Sequence, residues 1–280
     1  MLLVSVILAL GACSGPPSWE TPEGMDWVQV EASPNDATCG LHADGSCECW
    51  GDDVDLGMTP PPGLLVDIAV AHMVYGLDEG GELVSGEARD DGVILLDLTG
   101  LNDGTRYVDV AAGSAFACGL TESGAIRCTG SSGVVSAVSG GGFVQISAGS
   151  WYLCGRYEDG QASCWNLDGE RTDRLGPYIT LDAGQTGACG VAEDGELRCW
   201  DDVYLEDHTG PYKGVSVGTA ITCALDVQSA IECWWDPRII VSLAPPSDGP
   251  FTAVAAGTFQ VCGLRLDGAI SCVRAEAVEE

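Results

Sequence analysis

Basic residues are scarce in this chain. Eleven lysines and arginines stand against 42 aspartates and glutamates, a formal net charge of −31 over 280 residues. A surface so acidic repels phosphate backbones and anionic lipid, so nucleic acid is not an expected partner. Histidine is nearly absent. His42, His72 and His208 fall in different phases of the chain's repeat and suggest neither a nucleophile–base pair nor a convergent metal site. No apolar run approaches the roughly 20 residues that a spanning helix needs. No helical hydrophobic period of useful length appears, which points to an all-β class. The acidic cluster Asp52, Asp53 and Asp55 lacks calcium-loop spacing. GSSG at 130–133 reads as a linker, not as a nucleophile elbow. No cofactor, metal or catalytic residue is expected, and the chain reads as a non-enzyme.

What the chain does have is a cysteine frame, best seen in CGLTESGAIRC from Cys118 to Cys128. The same ten-residue separation recurs at Cys39–Cys49, Cys154–Cys164, Cys189–Cys199, Cys223–Cys233 and Cys262–Cys272. A seventh copy, from Tyr75 to Ser85, keeps the length without cysteines. In each frame apolar residues such as Leu120 and Ile126 alternate with polar ones, the period of a half-buried strand. Asp-Gly or Ser-Gly at the centre suits a hairpin tip. Strands paired about that tip set the two cysteines opposite each other, close enough for a disulfide. Of the fourteen cysteines, twelve form these pairs; Cys13 and Cys47 remain. Cys47 replaces the apolar residue found in other copies and reads as a buried thiol.

The frames begin at residues 39, 75, 118, 154, 189, 223 and 262, a period that signals a solenoid, propeller or array. Before most hairpins runs another strand: YVDVAAG, FVQISAG and FTAVAAG are the clearest. Three strands cannot bury their own faces, whereas seven such sheets set radially can. The expected fold is therefore a seven-bladed β-propeller with three strands per blade, or four where a linker such as VILLDL (93–98) permits. With Ala-Gly, a short loop, Cys-Gly-Leu, an Asp-Gly turn and Cys-Trp-Gly, the unit resembles the regulator-of-chromosome-condensation repeat over residues 27–274. The histidine that the family places two residues before the first cysteine is replaced, for example by Phe116, Tyr152 and Gly187. The short units are similar to those of bacterial secreted members such as the type II β-lactamase inhibitor proteins. That resemblance implies a ring that binds other proteins through one face.

Residues 1–12 form a short apolar run suited to a signal peptide, although no Lys or Arg precedes it. Leu10-Gly11-Ala12-Cys13 resembles a bacterial lipobox, which implies lipidation at Cys13; the alternative is an ordinary signal peptide with an incidental cysteine. Residues 13–26 read as the anchor and a flexible tether, and 275–280 as an acidic tail. The expectation is an exported, lipid-anchored monomer of a bacterial envelope, at the outer membrane or cell surface, touching the membrane only through its lipid. It would act as a scaffold for an unidentified protein partner. A structural envelope module, a carbohydrate-binding protein and an enzyme are the alternatives.

The loops between the first two strands recur once per blade and so share one end of a ring. They carry Met73, Phe116, Trp151, Tyr152, Ile221 and Phe259, the candidate binding face, since exposed aromatic residues tend to anchor interfaces. Trp50, Trp165, Trp200 and Trp234 each follow a second cysteine. Their recurrence at one position predicts packing between blades.

Overall fold

The computed structural model describes residues 24–33, 37–51, 58–87, 96–201, 203, 208–236 and 243–274. The expected leader at 1–12, Cys13, most of the expected tether, the expected tail at 275–280 and residues 93–95 of VILLDL lie outside the described residues. Seven antiparallel sheets follow one another along the chain, each with its strands in sequence order. They form a seven-bladed propeller.

The seven inner strands, numbered by blade, are Trp27–Ala32, Leu65–Val70, Tyr107–Ala112, Phe143–Ala148, Tyr178–Ala183, Tyr212–Val217 and Phe251–Ala256. Each pairs with a second strand, and that with a third. Blade four alone, among the described residues, adds a fourth strand, Arg171–Arg174. Residues 96–98 of VILLDL are not in a strand. Among the described residues one short helix, Gly133–Ala137, begins at the end of the GSSG linker.

Every inner strand contains the same bulge. Trp27 pairs with His42 and Gln29 with Leu41, so Val28 is the extra residue; the other six inner strands shift register at the same place. The bulge returns the first residue of the strand to the blade face that carries the fourth. That first residue is large in all blades (Trp27, Leu65, Tyr107, Phe143, Tyr178, Tyr212, Phe251), and all seven are buried. In six blades it lies over a glycine, the residue after the first cysteine or, in blade two, after Tyr75; blade six has Ala224 at that place. A Cβ on Gly119 would stand 2.4 Å from the Tyr107 ring, and one on Gly155 2.6 Å from Phe143. The Cys-Gly pair is thus explained by the aromatic ring that needs the space.

The two blade faces differ, and each fits the next blade. Phe143, Ile146 and Trp165 of blade four pack on Cys118, Leu120 and Ile126 of blade three. Tyr178 and Trp200 meet Cys154 and Cys164 in the same way, and Trp27 and Trp50 close the ring against Cys262, Leu264 and Ile270. The tryptophans do pack between blades. Each large side chain so buried contributes about 1.5–3 kcal/mol.

All six expected disulfides are present, each joining directly opposed residues with Cα atoms 4.0–4.1 Å apart. Opposed pairs that exchange no backbone hydrogen bonds are the closest in an antiparallel ladder, which is where a disulfide fits. In the chain-entropy account each contributes at most roughly 3 kcal/mol. In blade two Tyr75 faces Ser85 instead, and the hairpin forms without a disulfide. Cys47 is buried in the cluster shared by blades one and two and forms no disulfide.

Hairpin tips lace the blades together. The carbonyl of the tip residue accepts a hydrogen bond from the first N–H of the next inner strand: Gly45 from Leu65, Gly81 from Tyr107, Gly124 from Phe143, Gly160 from Tyr178, Gly195 from Tyr212 and Ser229 from Phe251. Gly268 accepts from Trp27 at 3.1 Å and so joins the last blade to the first. Gly268 has φ +81°, and a Cβ there would lie 2.3 Å from the Met25 carbonyl oxygen. Gly268→Ala should therefore cost about 1–3 kcal/mol through left-handed strain and that clash. Gly100→Ala, where nothing lies within 4 Å, is the control and should stay within about 0.5 kcal/mol. Denaturant melts of the two variants check this, and equal melts would remove Gly268 from ring closure.

Candidate functional site

The inner strands surround an axial cavity of about 290 Å³. Past the bulge, the third and fifth residues of each strand face it: Gln29 and Glu31, Asp67, Asp109, Gln145 and Ser147, Thr180 and Asp182, then Ser216. These side chains bind the next blade's backbone. Asp67 accepts from Val110 N–H at 3.2 Å and Asp109 from Ile146 N–H at 2.9 Å. Ser147 accepts from Ala183 N–H at 2.9 Å, Asp182 from Val217 N–H at 2.7 Å, and Ser216 from Ala256 N–H at 3.0 Å. Gln29 makes the longer bond to Ile68 N–H, at 3.3 Å. Six junctions are latched in this way. Blade seven offers Ala253 and Ala255 at these positions, so its junction with blade one has no side-chain latch of this kind.

Burial raises the carboxyls on the axis. Glu31 is pushed up to about 8, chiefly by loss of solvent and then by the charges of Asp182 and Asp67. Asp109 rises through burial and the adjacent Asp67, with which it shares a hydrogen bond; Asp67 itself is raised by burial. Asp182 is raised by burial against the pull of its Ser147 and backbone hydrogen bonds. A proton held between Asp67 and Asp109 relieves like-charge repulsion. Among the described residues no group of three His, Cys, Asp or Glu side chains could hold a metal ion.

The end of the ring opposite the hairpin tips carries the aromatic loop residues, and here the expectation of exposure is corrected. Met73, Phe116, Tyr152 and Ile221 are buried, with at most 3% of their surface exposed. The loops are so short that each of these residues begins or immediately precedes the second strand, where its side chain is directed between blades. Phe116 packs with Ile146 and Leu153 of blade four, and Ile221 with Phe251 and Val261 of blade seven. The Tyr152 hydroxyl donates to Asp201 of blade five, which also binds Arg174 at 2.8 Å. Only Trp151 and Phe259 remain half-buried. Trp151 donates its backbone N–H to the Gln185 carbonyl at 3.1 Å. His42 stacks on Trp27 and binds Asp26, whereas His208 stacks on Trp234 in a different part of the ring.

Comparison with known proteins agrees with this geometry. Residues 107–134, which span blade three and the start of the short helix, match the regulator of chromosome condensation (RCC1) repeat. Blade three is thus an RCC1-type repeat, set in a seven-bladed propeller. The CRINKLY WD40 ectodomain of the Arabidopsis thaliana receptor kinase ACR4 superposes with a TM-score of 0.72 at 20% identity, covering 89% of this chain and 95% of that one. The ectodomain of the Physcomitrella patens receptor kinase CR4 gives 0.66 at 22% identity, covering 88% and 72%. Yeast RCC1 (Prp20), solved bound to Kap60, gives 0.62 at 12% identity, covering 91% and 81%. At these identities the likeness is one of fold. No curated protein sequence matches the chain.

Strand alternation hides the axis in the sequence. Its signal is a polar residue at the third or fifth position of frames such as YVDVAAG and YITLDA, which reads simply as strand alternation. The raised carboxyls make stability depend on pH. An acid whose pKa is higher folded than unfolded holds more protons in the folded state, so its stabilisation is full below about pH 4 and is lost as pH rises through about 8. Self-repulsion of the acidic surface acts in the same direction, and a neutral replacement separates the two. Between pH 5 and 8, Glu31→Gln should shrink the fall in Tm by at least about 3 °C, using 2–4 °C per kcal/mol for a domain of this size. Thermal melts across that range check it; an unchanged slope would mean that Glu31 is charged throughout.

Proposed function

We propose that this propeller is an exported, lipid-anchored scaffold that binds a protein partner at a bacterial cell envelope. The observation that carries the reading is the distribution of chemistry over the ring. Axial side chains are engaged in latching blades, while the ends and tips offer surface to a partner. The structurally similar yeast RCC1 binds Kap60 in its crystal structure, and the plant receptor-kinase neighbours are ectodomains. These support an interaction role and an extracytoplasmic setting. Six disulfides suit an oxidising compartment. Cys13 would carry the lipid, and the tether would hold the ring away from the bilayer.

The test uses the full chain in a bacterial host with a labelled fatty-acid analogue, and a photo-crosslinking residue placed at 108 or at 151 to sample the two ends of the ring. The wild type should take up label and sediment with membranes, and Cys13→Ala should do neither. One end should yield a discrete crosslinked envelope protein. Continued labelling of Cys13→Ala would refute the anchor. No discrete product from either end would favour the structural module over the scaffold.

A further inference from the structure

The exposed apolar surface of the ring is gathered at one end, and it is not the end that the aromatic loops suggest. At the bulge, five consecutive blades carry a β-branched residue: Val28, Val66, Val108, Val144 and Ile179. Each is 44–55% exposed. Equivalent register in neighbouring inner strands sets them in an arc around the axial mouth, at the end where the hairpin tips lie. Lys213 and Thr252 fill the two remaining places, and Lys213 is tied to the Ser229 hydroxyl at 2.5 Å. Of the eleven large hydrophobic side chains exposed among the described residues, ten lie at this end; Leu167 is the exception. A bulge needs no valine, and five solvent-facing β-branched side chains in succession are not required by the packing of the blades. Exposed apolar side chains gathered at one end in this way mark an interaction site.

Around that arc stands a ring of carboxylates. Six of the seven tips present an exposed acidic residue, among them Asp44, Glu79, Glu122, Glu158 and Asp267. Glu122 and Asp267 have arginine partners, at 3.5 and 2.9 Å. The rim remains acidic, as does the whole chain at −31. A second copy would bring two such rims together, and an anionic membrane would be repelled as strongly. What complements an apolar centre inside an acidic rim is a cationic segment with apolar side chains.

We propose that the hairpin-tip end is the docking surface and that its occupant is a basic, apolar-bearing segment of a partner protein; this rests on the scaffold reading above. Valine and isoleucine of the arc receive the apolar side chains, and the tip carboxylates hold lysine or arginine at the rim. The attraction between rim and partner is screened by salt, so affinity falls as ionic strength rises.

The test uses the intact ring and a fluorescein-labelled peptide of interspersed lysine and leucine, with its glutamate-for-lysine counterpart as control. The lysine peptide should bind, the glutamate peptide should not, and Val108→Asp/Val144→Asp should weaken binding about tenfold or more. Trp151→Ala, at the other end, should leave affinity where it is. Since the double variant could disturb the inner strands, Val108→Thr/Val144→Thr keeps their shape and should weaken binding in the same direction. Hydrogen exchange on the wild type should show peptide protection at the tips and inner-strand starts. Equal binding of both peptides, protection at the Trp151 end, or retained affinity in the folded variants would overturn the proposal. So would a preference for phosphatidylcholine vesicles over the peptide. Crosslinking from residue 151 in the envelope, with none from 108, would refute this surface while leaving the scaffold reading intact.

Discussion

The structure depends on one short contact made seven times: the carbonyl of a hairpin-tip residue receiving the first amide of the next inner strand. It demands a left-handed residue at the tip, with φ between 69° at Ser229 and 87° at Gly45. It also demands that the next blade start directly against that residue, leaving no room for a side chain at Gly268. Given that contact, the bulge follows at once in the chain. The bulge turns the first residue onto the previous blade and the second toward solvent, and places polar side chains on the axis. Aromatic-over-glycine packing, the axial latches and the exposed valine arc are thus consequences of how each inner strand begins.

The axis shows why an acidic chain can tolerate carboxyls at its centre. Asp67, Asp109 and Asp182 each accept a backbone amide from the neighbouring strand, so their burial satisfies donors that would otherwise face the cavity. Serine and glutamine do the same at Ser147, Ser216 and Gln29 without carrying charge. The exchange of one acceptor for another between blades shows that the latch, and not the charge, is the repeated feature. The charge then adds a dependence on pH that the serines lack.

Much of this was legible in the sequence. Hairpins, six disulfides and the blade count follow from period-2 patterning and from cysteines equally spaced about a turn, because directly opposed residues need no knowledge of the rest of the fold. The end faces were not. Phe116 and Tyr152 look exposed when the loop before them is read as a loop, but the second strand begins at those residues and turns them inward. Val28, Val66 and Val108 look like core in a strand pattern, but a bulge that no local residue announces reverses them. A one-residue shift exchanges the faces of a strand, and period alone cannot detect it. A fourth strand is described in blade four, where Arg171 and Asp173 of that strand pair on an exposed edge, whereas residues 93–95 of VILLDL lie outside the described residues.

Ring closure rests on fewer kinds of contact than the other junctions, because the junction of blades seven and one lacks the axial latch of the other six. It is held by the Trp27–Gly268 hydrogen bond and by the packing of Trp27 and Trp50 on blade seven. Amide hydrogen exchange resolved at the first residue of each inner strand measures this directly. A closed ring predicts that Trp27 N–H is protected to the same order as Leu65, Tyr107 and Phe143 N–H, all released only on global unfolding. Exchange of Trp27 at the rate of a free strand edge, with the other amides still protected, would contradict it and show a ring open between its first and last blades.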